Sequence, residues 1–384
     1  MQPFVFNTAP SIISKAGASL ELAHIFNGLA VNKILMITDP GLVSIGLVQP
    51  VIDAMVASGL QVELFDQVRE DPPEEIVLAA VKCAQDFAAD AVLGFGGGSS
   101  MDVAKLAAVL AGSTTQSLSD IYGVDLLSGQ RLPLVLVPTT AGTGSEVTPV
   151  AVVTTGETTK AGASSKQLLP DVAVLDAELT LGLPPLITAM TGIDAMVHAI
   201  EAYTSKIKKN AYSDALAKEA LARLAGSIVT AVVDGKNVEA RANMLFGAML
   251  AGQAFANAPV AAVHALAYPL GGRYHIPHGL SNSLVLPAVM RFNASHASHL
   301  YAELAPILIP NCSGSDEDKA MQLILFIEKL IVEVGLPATL KQAGVSEQSL
   351  TTLAEDAMLQ QRLLMNNPRE VTLADALAIY QAAY

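Results

Sequence analysis

The first half of the chain alternates unbroken apolar runs with helical patterns. Lys33-Ile34-Leu35-Met36-Ile37-Thr38 is one such run, and it ends at Asp39-Pro40-Gly41. A run without polar alternation predicts a strand buried on both faces, as in a parallel sheet. Ala91-Val92-Leu93-Gly94-Phe95 and Leu134-Val135-Leu136-Val137 read the same way. Leu47 to Ser58 predicts a helix stopped by Gly59, and Pro73 opens another that runs to Ala88. Gln61 to Phe65, Val150 to Thr154 and Val172 to Leu175 predict further strands, and Phe4-Val5-Phe6 with Ile12-Ile13-Ser14 predict an opening hairpin. Strands and helices in this alternation predict a doubly wound, mostly parallel α/β domain.

From Pro184 onward the strand signals fade. Ala, Leu and Met recur at helical spacing, and Gly or Pro marks the expected breaks. The helix that carries Asp194 and His198 is expected to start near Thr191 or Ile193. The shift predicts two domains, α/β over 1–183 and all-helical over 184–384.

Composition narrows the classes of function. Hydrophobic residues make up 52% and charged residues 15% of 384, a well-buried globular composition. The net charge of −14 disfavours nucleic acid and anionic membrane as partners. Two cysteines, Cys83 and Cys312, cannot build a disulfide framework, so a reducing, cytoplasmic setting is expected. The N-terminus has no basic n-region and no long apolar core, so no signal peptide is expected. Ala242 to Gly272 lacks charged residues and is long enough to span a bilayer. Gln253, Asn257, Pro259, His264 and Pro269 interrupt it, which predicts buried core helices instead. The apolar composition points to a homodimer or higher homo-oligomer.

The chemistry gathers at four places. Gly96-Gly97-Gly98-Ser99-Ser100 joins a strand to a helix. Such a loop lets backbone approach a phosphate, and the helix N-terminus offers it free N–H groups and a positive dipole end. The plain alternative is a glycine turn with a serine cap. Asp39 ends a different strand; it either starts a turn before Pro40 and Gly41, or accepts hydrogen bonds from an adenosine ribose and so selects NAD over NADP. Pro138-Thr139-Thr140-Ala141-Gly142-Thr143-Gly144-Ser145 is a polar strand-end loop suited to a cofactor. Lys160 could reach a phosphate, although an exposed loop lysine is the default.

The fourth place is Gly192-Ile193-Asp194-Ala195-Met196-Val197-His198. On a helix, Asp194 and His198 leave the same face one turn apart. His264 lies in an apolar helical stretch, where an unpartnered imidazole is costly. His278 follows Pro277 at a turn. One carboxylate and three imidazoles make four ligands with room for a substrate oxygen, a set that suits Fe²⁺ or Zn²⁺ better than Ca²⁺ or Mg²⁺. Glu201 is placed to orient a ligand histidine.

At these motifs the chain resembles the iron-containing (group III) alcohol dehydrogenases. Gly96-Gly97-Gly98-Ser99 with Asp102 and Lys105 looks like the family's pyrophosphate loop, and Pro138 to Thr148 like its second cofactor loop. Leu169 to Ala173 and Asp176 to Pro184 also follow the pattern. The resemblance implies a dehydroquinate synthase-like, iron alcohol dehydrogenase fold, with an NAD-binding domain ahead of a metal-binding catalytic one. It places Asp194, His198, His264 and His278 at the metal. Asp39, Gly96, Gly97, Gly98, Ser99, Asp102, Thr139, Thr140, Thr143, Lys160 and Leu179 fall among the cofactor contacts. Several members carry a proton-relaying histidine where this chain has Tyr268, so Tyr268 and His275 are the candidates for that role.

These readings imply NAD-linked, metal-dependent, reversible oxidation of a small primary alcohol or diol to an aldehyde, with the reaction expected between the two domains. The alternatives are a metal-dependent lyase or a maleylacetate-type reductase on the same fold. A non-catalytic NAD-binding module fits the intact metal set least.

Overall fold

The computed structural model describes residues 3–156 and 159–384. The chain divides into two compact units, Asn7–Leu181 and Gly182–Tyr384, the latter with residues 3–6. In chain order the first unit contains β1 (Ser11–Ser14), α1 (Leu22–Gly28), β2 (Lys33–Ile37), α2 (Pro40–Ser44), α3 (Gln49–Ala57), β3 (Gln61–Phe65), α4 (Glu74–Phe87), β4 (Ala91–Gly96) and α5 (Gly98–Leu110). It continues with β5 (Gly123–Val124), β6 (Leu134–Pro138), β7 (Val150–Thr155), β8 (Thr159–Ser164) and β9 (Val172–Leu175).

Six strands form one parallel sheet in the order β1-β9-β6-β4-β2-β3. Its central strands are apolar throughout because successive side chains feed two different cores. Ile34, Met36, Leu93, Phe95, Val135 and Val137 pack on one face with Phe26, Val51 and Met55 of α1 and α3. Leu35, Ile37, Val92, Leu134 and Leu136 pack on the other with Val77 and Ala80 of α4 and Met101 and Ala104 of α5. Leu93 and Phe95 are fully buried, and each such side chain contributes roughly 1.5–3 kcal/mol.

The opening hairpin is not formed. Residues 4–6 are not a strand, and β1 pairs in parallel with β9, Ser11 opposite Val172. Pro10, at the mouth of the expected hairpin, has no N–H to give, and the partner that β1 does find lies far along the chain. Phe6 instead lays its ring against Tyr212, centroids 4.8 Å apart.

The winding places three loops side by side. The chain crosses from β2 to β3 on one flank and returns to set β4 on the other, with Ile37 opposite Gly94. Winding reverses between β2 and β4, the position where open α/β sheets bind ligands beyond their strand ends. β6 lies next to β4, Pro138 opposite Gly96. The segments after β2, β4 and β6 therefore emerge together. A second sheet, ordered β5-β8-β7, sits apart from this one.

The second unit is helical, and among the described residues no strand follows β9. It contains α6 (Pro185–Thr204), α7 (Ala211–Val233), α8 (Val238–Asn257), α9 (Ala262–Tyr274), α10 (His278–Leu308), α11 (Asp316–Glu333), α12 (Leu350–Ala357), α13 (Gln361–Leu364) and α14 (Leu373–Ala383). Helix α6 starts well ahead of Thr191, because Pro185 takes its first turn, where a missing N–H costs nothing. Pro269, Pro287 and Pro306 lie inside α9 and α10 and do not break them. Burial of the flanking apolar residues outweighs the local cost. The uncharged run from Ala242 to Gly272 falls on α8 and α9, which bend by 107° at their junction. Among the described residues no single helix is long and apolar enough to cross a membrane.

Candidate active site

Three helices bring four side chains to one point. Asp194 and His198 stand one turn apart on α6, His264 lies in the first turn of α9, and His278 is the first residue of α10. One ligand atom from each lies within 4.8 Å of the others. The His198 and His264 rings are stacked with centroids 4.8 Å apart, and those of His264 and His278 are 5.4 Å apart. The start of α10 can come this close to α6 because position 279 is glycine. A Cβ there would sit 2.4 Å from the Met190 carbonyl oxygen. Gly279 therefore lets His278 reach Asp194, with Nε2 3.8 Å from Oδ1.

Buried neighbours set the charge of this cluster. Glu201, one turn beyond His198, accepts a hydrogen bond from the Val263 N–H at 2.7 Å and faces His264 Nδ1 at 2.6 Å. Burial pushes the Glu201 carboxyl up to about 7, against the pull of backbone N–H groups. Burial, then repulsion from His198 and His278, holds His264 well below the usual imidazole range. A carboxylate facing Nδ1 favours the tautomer with its proton there, which turns the His264 Nε2 lone pair toward the other three ligands. Burial opposes ionisation of Asp194, but the three histidines and an N–H from Asn282 together carry it below its ordinary value.

Asn282 is the residue that sequence reasoning missed. It lies one turn after His278 on α10 and is fully buried. Its Nδ2 donates to Asp194 Oδ1 at 2.6 Å and stands 3.2 Å from Nε2 of both His264 and His278. Its Oδ1 is buried with no hydrogen-bond partner among the described residues. A buried carboxylate and three converging imidazoles fit a borderline divalent cation such as Fe²⁺ or Zn²⁺. The only sequence signal for Asn282 is its i+4 spacing from His278.

The glycine loop closes at the strand ends of the first unit. Gly97 is the N-cap of α5, and no side chain caps that helix, so its first N–H groups face outward. Ser99 lies in the first helical turn. Gly96 has φ 151°, and a Cβ there would meet the Ser100 side chain at 2.7 Å. Thr139 N–H donates to the Gly96 carbonyl at 2.9 Å. A Cβ on Gly97 would lie 3.6 Å from Thr140, and one on Gly98 would lie 2.9 Å from Thr143. The glycine and threonine loops thus touch along their length.

The remaining predicted residues are placed individually. Asp39 caps α2, Oδ1 accepting from the Leu42 N–H at 3.0 Å. Both the turn reading and the ribose reading remain compatible with this, since its Oδ2 has no hydrogen bond among the described residues. Asp102 spends both oxygens internally, on the Ser145 hydroxyl at 2.7 Å and the Val152 N–H at 2.9 Å. Lys160 lies on strand β8, not in a loop, and pairs with Asp71 at 2.6 Å. Leu179 is buried in the core beside Val174. Tyr268 lies on α9 with its ring 6.0 Å from that of His278. His275 is exposed and closes α9 in the left-handed region, φ 54°.

Comparison with known proteins gives the family of the chain. Residues 9–177 match the family described as iron-containing alcohol dehydrogenase, and residues 188–384 match the C-terminal part of the Fe-containing alcohol dehydrogenase family. Long-chain-alcohol dehydrogenase 1 of Geobacillus thermodenitrificans is 43% identical over 96% of this chain and 93% of its own length. A crystal structure of 1,3-propanediol oxidoreductase superposes with a TM-score of 0.96 at 34% identity, covering 100% of both chains. That of sulfoacetaldehyde reductase from Bifidobacterium kashiwanohense in complex with NAD⁺ superposes with a TM-score of 0.90 at 30% identity, over 100% of this chain and 99% of that one. Carrying both halves of that fold, the chain belongs to the iron-containing alcohol dehydrogenase family.

Proposed function

We propose that the chain catalyses NAD-linked, reversible oxidation of a small primary alcohol or diol to the aldehyde, using a metal held by Asp194, His198, His264 and His278. The observation that carries this reading is the convergence of those four ligand atoms within 4.8 Å. Asn7–Leu181 is the dinucleotide unit in this reading, and Gly182–Tyr384 the metal-binding unit. The bound cation supplies Lewis acidity to the alcohol oxygen, and nicotinamide supplies the hydride acceptor.

The chain's own residues do the rest. Glu201 fixes the His264 tautomer, and Asn282 holds the Asp194 carboxylate in place. The uncapped first turn of α5 and the hydroxyls of Ser99, Thr139, Thr140 and Thr143 bind the pyrophosphate, with Lys160 and Leu179 completing the cofactor site. Asp39 presents a free carboxylate oxygen that accepts from a ribose hydroxyl and repels a 2′-phosphate, which favours NAD over NADP. Tyr268, beside His278, is the candidate to pass the alcohol proton outward, with exposed His275 as the other candidate.

The names of the relatives support alcohol or aldehyde chemistry, and the NAD⁺ complex of the sulfoacetaldehyde reductase supports the cofactor. The reading includes a cytoplasmic homo-oligomer, most simply a homodimer, in keeping with two free cysteines. The test is NADH formation by enzyme loaded without oxygen with Fe²⁺ or with Zn²⁺, over a panel of short alcohols and diols. Stoichiometric NADH from a primary alcohol supports the proposal. Metal-dependent conversion of substrate without NADH would move the assignment to a lyase.

A further inference from the structure

Lys105 is fully buried yet charged by nature, and the proposed reaction does not use it. It sits on α5, seven residues after Gly98. Its ammonium spends its donors on Ser145 Oγ at 2.7 Å, Thr148 Oγ1 at 3.2 Å and the Val150 carbonyl at 2.7 Å. Asp102, one turn earlier on the same helix, takes the Ser145 hydroxyl at 2.7 Å and the Val152 N–H at 2.9 Å. Lys105 and Asp102 lie 3.5 Å apart, so each partly neutralises the other. Burying a charge is costly unless it is paired and hydrogen-bonded. Here the helix accepts that cost in order to hold the segment from Ser145 to Val152.

We propose that Lys105 and Asp102 are positioning residues for the dinucleotide. They clamp the base of the threonine loop to α5, whose first turn is the glycine loop, and so fix the distance between the two loops. Neither residue touches the cofactor. Both Asp102 oxygens already accept from the segment after the threonine loop, and Lys105 is fully buried. The upper ends of the loops already meet where Gly98 faces Thr143 and where Thr139 donates to Gly96. The clamp supplies the lower fixed point, with Ser145 as the hinge between ammonium and carboxylate. This inference rests on reading Gly96 to Ser99 as the pyrophosphate loop.

The test is NADH binding by the holoenzyme, followed through nicotinamide fluorescence. The chain has no tryptophan, so that emission is read against a low protein background. The variants are Ser145→Ala, Lys105→Met and Asp102→Asn, with Lys82→Met on the exposed face of α4 as control. Loss of the clamp is expected to raise the NADH dissociation constant and the KM for NAD about tenfold, the effect of one lost hydrogen bond on loop placement. At saturating NAD, kcat and the KM for alcohol should stay within about twofold, because a positioning defect of this kind is confined to cofactor binding. Ser145→Ala removes only the bridging hydroxyl and keeps the test decisive if Lys105→Met does not fold. Wild-type affinity in both Ser145→Ala and Lys105→Met overturns the inference. So does a loss confined to Asp102→Asn, which would make Asp102 a direct cofactor contact. Failure of the wild-type enzyme itself to bind NADH would remove the underlying loop assignment, a separate outcome visible in the first titration.

Discussion

Glu201 Oε2 lies 2.6 Å from Nδ1 of His264, and both side chains are buried. The carboxylate belongs to α6 and the imidazole to α9, so one contact fixes both the tautomer and the approach of two helices. Replacing Glu201 with Gln keeps the shape and removes the negative acceptor. The expected outcome is a metal dissociation constant raised roughly 10–100-fold, measured by competition with a chromophoric chelator. Unchanged metal affinity would make the pair a packing feature alone.

Asn282 gives a second, separable prediction. Asn282→Ala removes the donor to Asp194 Oδ1 and leaves that oxygen without its N–H. Stability of the enzyme should fall by about 1–3 kcal/mol, read by chemical denaturation. Metal affinity should fall with it. A variant with unaltered stability and metal content would show that the amide carries no share of the site.

Asp39 links backbone structure to cofactor choice. Asp39→Asn keeps an oxygen able to accept from the Leu42 N–H, so α2 remains capped. It removes the charge that repels a 2′-phosphate. The ratio of kcat/KM for NADP to that for NAD should rise by about tenfold or more. An unchanged ratio would leave Asp39 as a helix cap only.

Glu146 makes stability depend on pH. Burial raises its carboxyl from 4.5 to about 7, against the opposing effects of its own backbone N–H and of Lys105. Between those values the folded chain keeps a proton that the unfolded chain has lost. Stability from this group is therefore greatest below 4.5 and declines as pH rises to about 7. Glu146→Gln should flatten that slope, compared by denaturation at about pH 5 and about pH 7.5. The same slope in both proteins would contradict the assignment.

Much of this site could be read from local patterns. Asp194, His198 and Glu201 follow helical spacing, and the apolar runs at Lys33, Ala91 and Leu134 could only suit a sheet covered on both faces. What stayed hidden depends on partners distant in sequence. Ser11 to Ser14 meets Val172 to Leu175 only through the folded sheet. Asp102 stands in a phosphate-loop motif, and that both its oxygens also accept from Ser145 and Val152, more than 40 residues on, is not legible from the motif. Asn282 has the appearance of one polar residue among serines, and its meaning comes from three ligand atoms on other turns and helices. Proline also misled, since Pro269 and Pro287 lie within packed helices where burial outweighs a lost backbone bond.

The most direct test is the metal content of wild-type and His264→Ala protein, both purified without oxygen and analysed for iron and zinc. About one equivalent per wild-type chain is expected, with about a tenth of that or less in His264→Ala, because a four-ligand site loses most of its affinity with one imidazole. NADH binding by the variant should match wild type. A full equivalent of metal retained by His264→Ala would contradict the proposed centre.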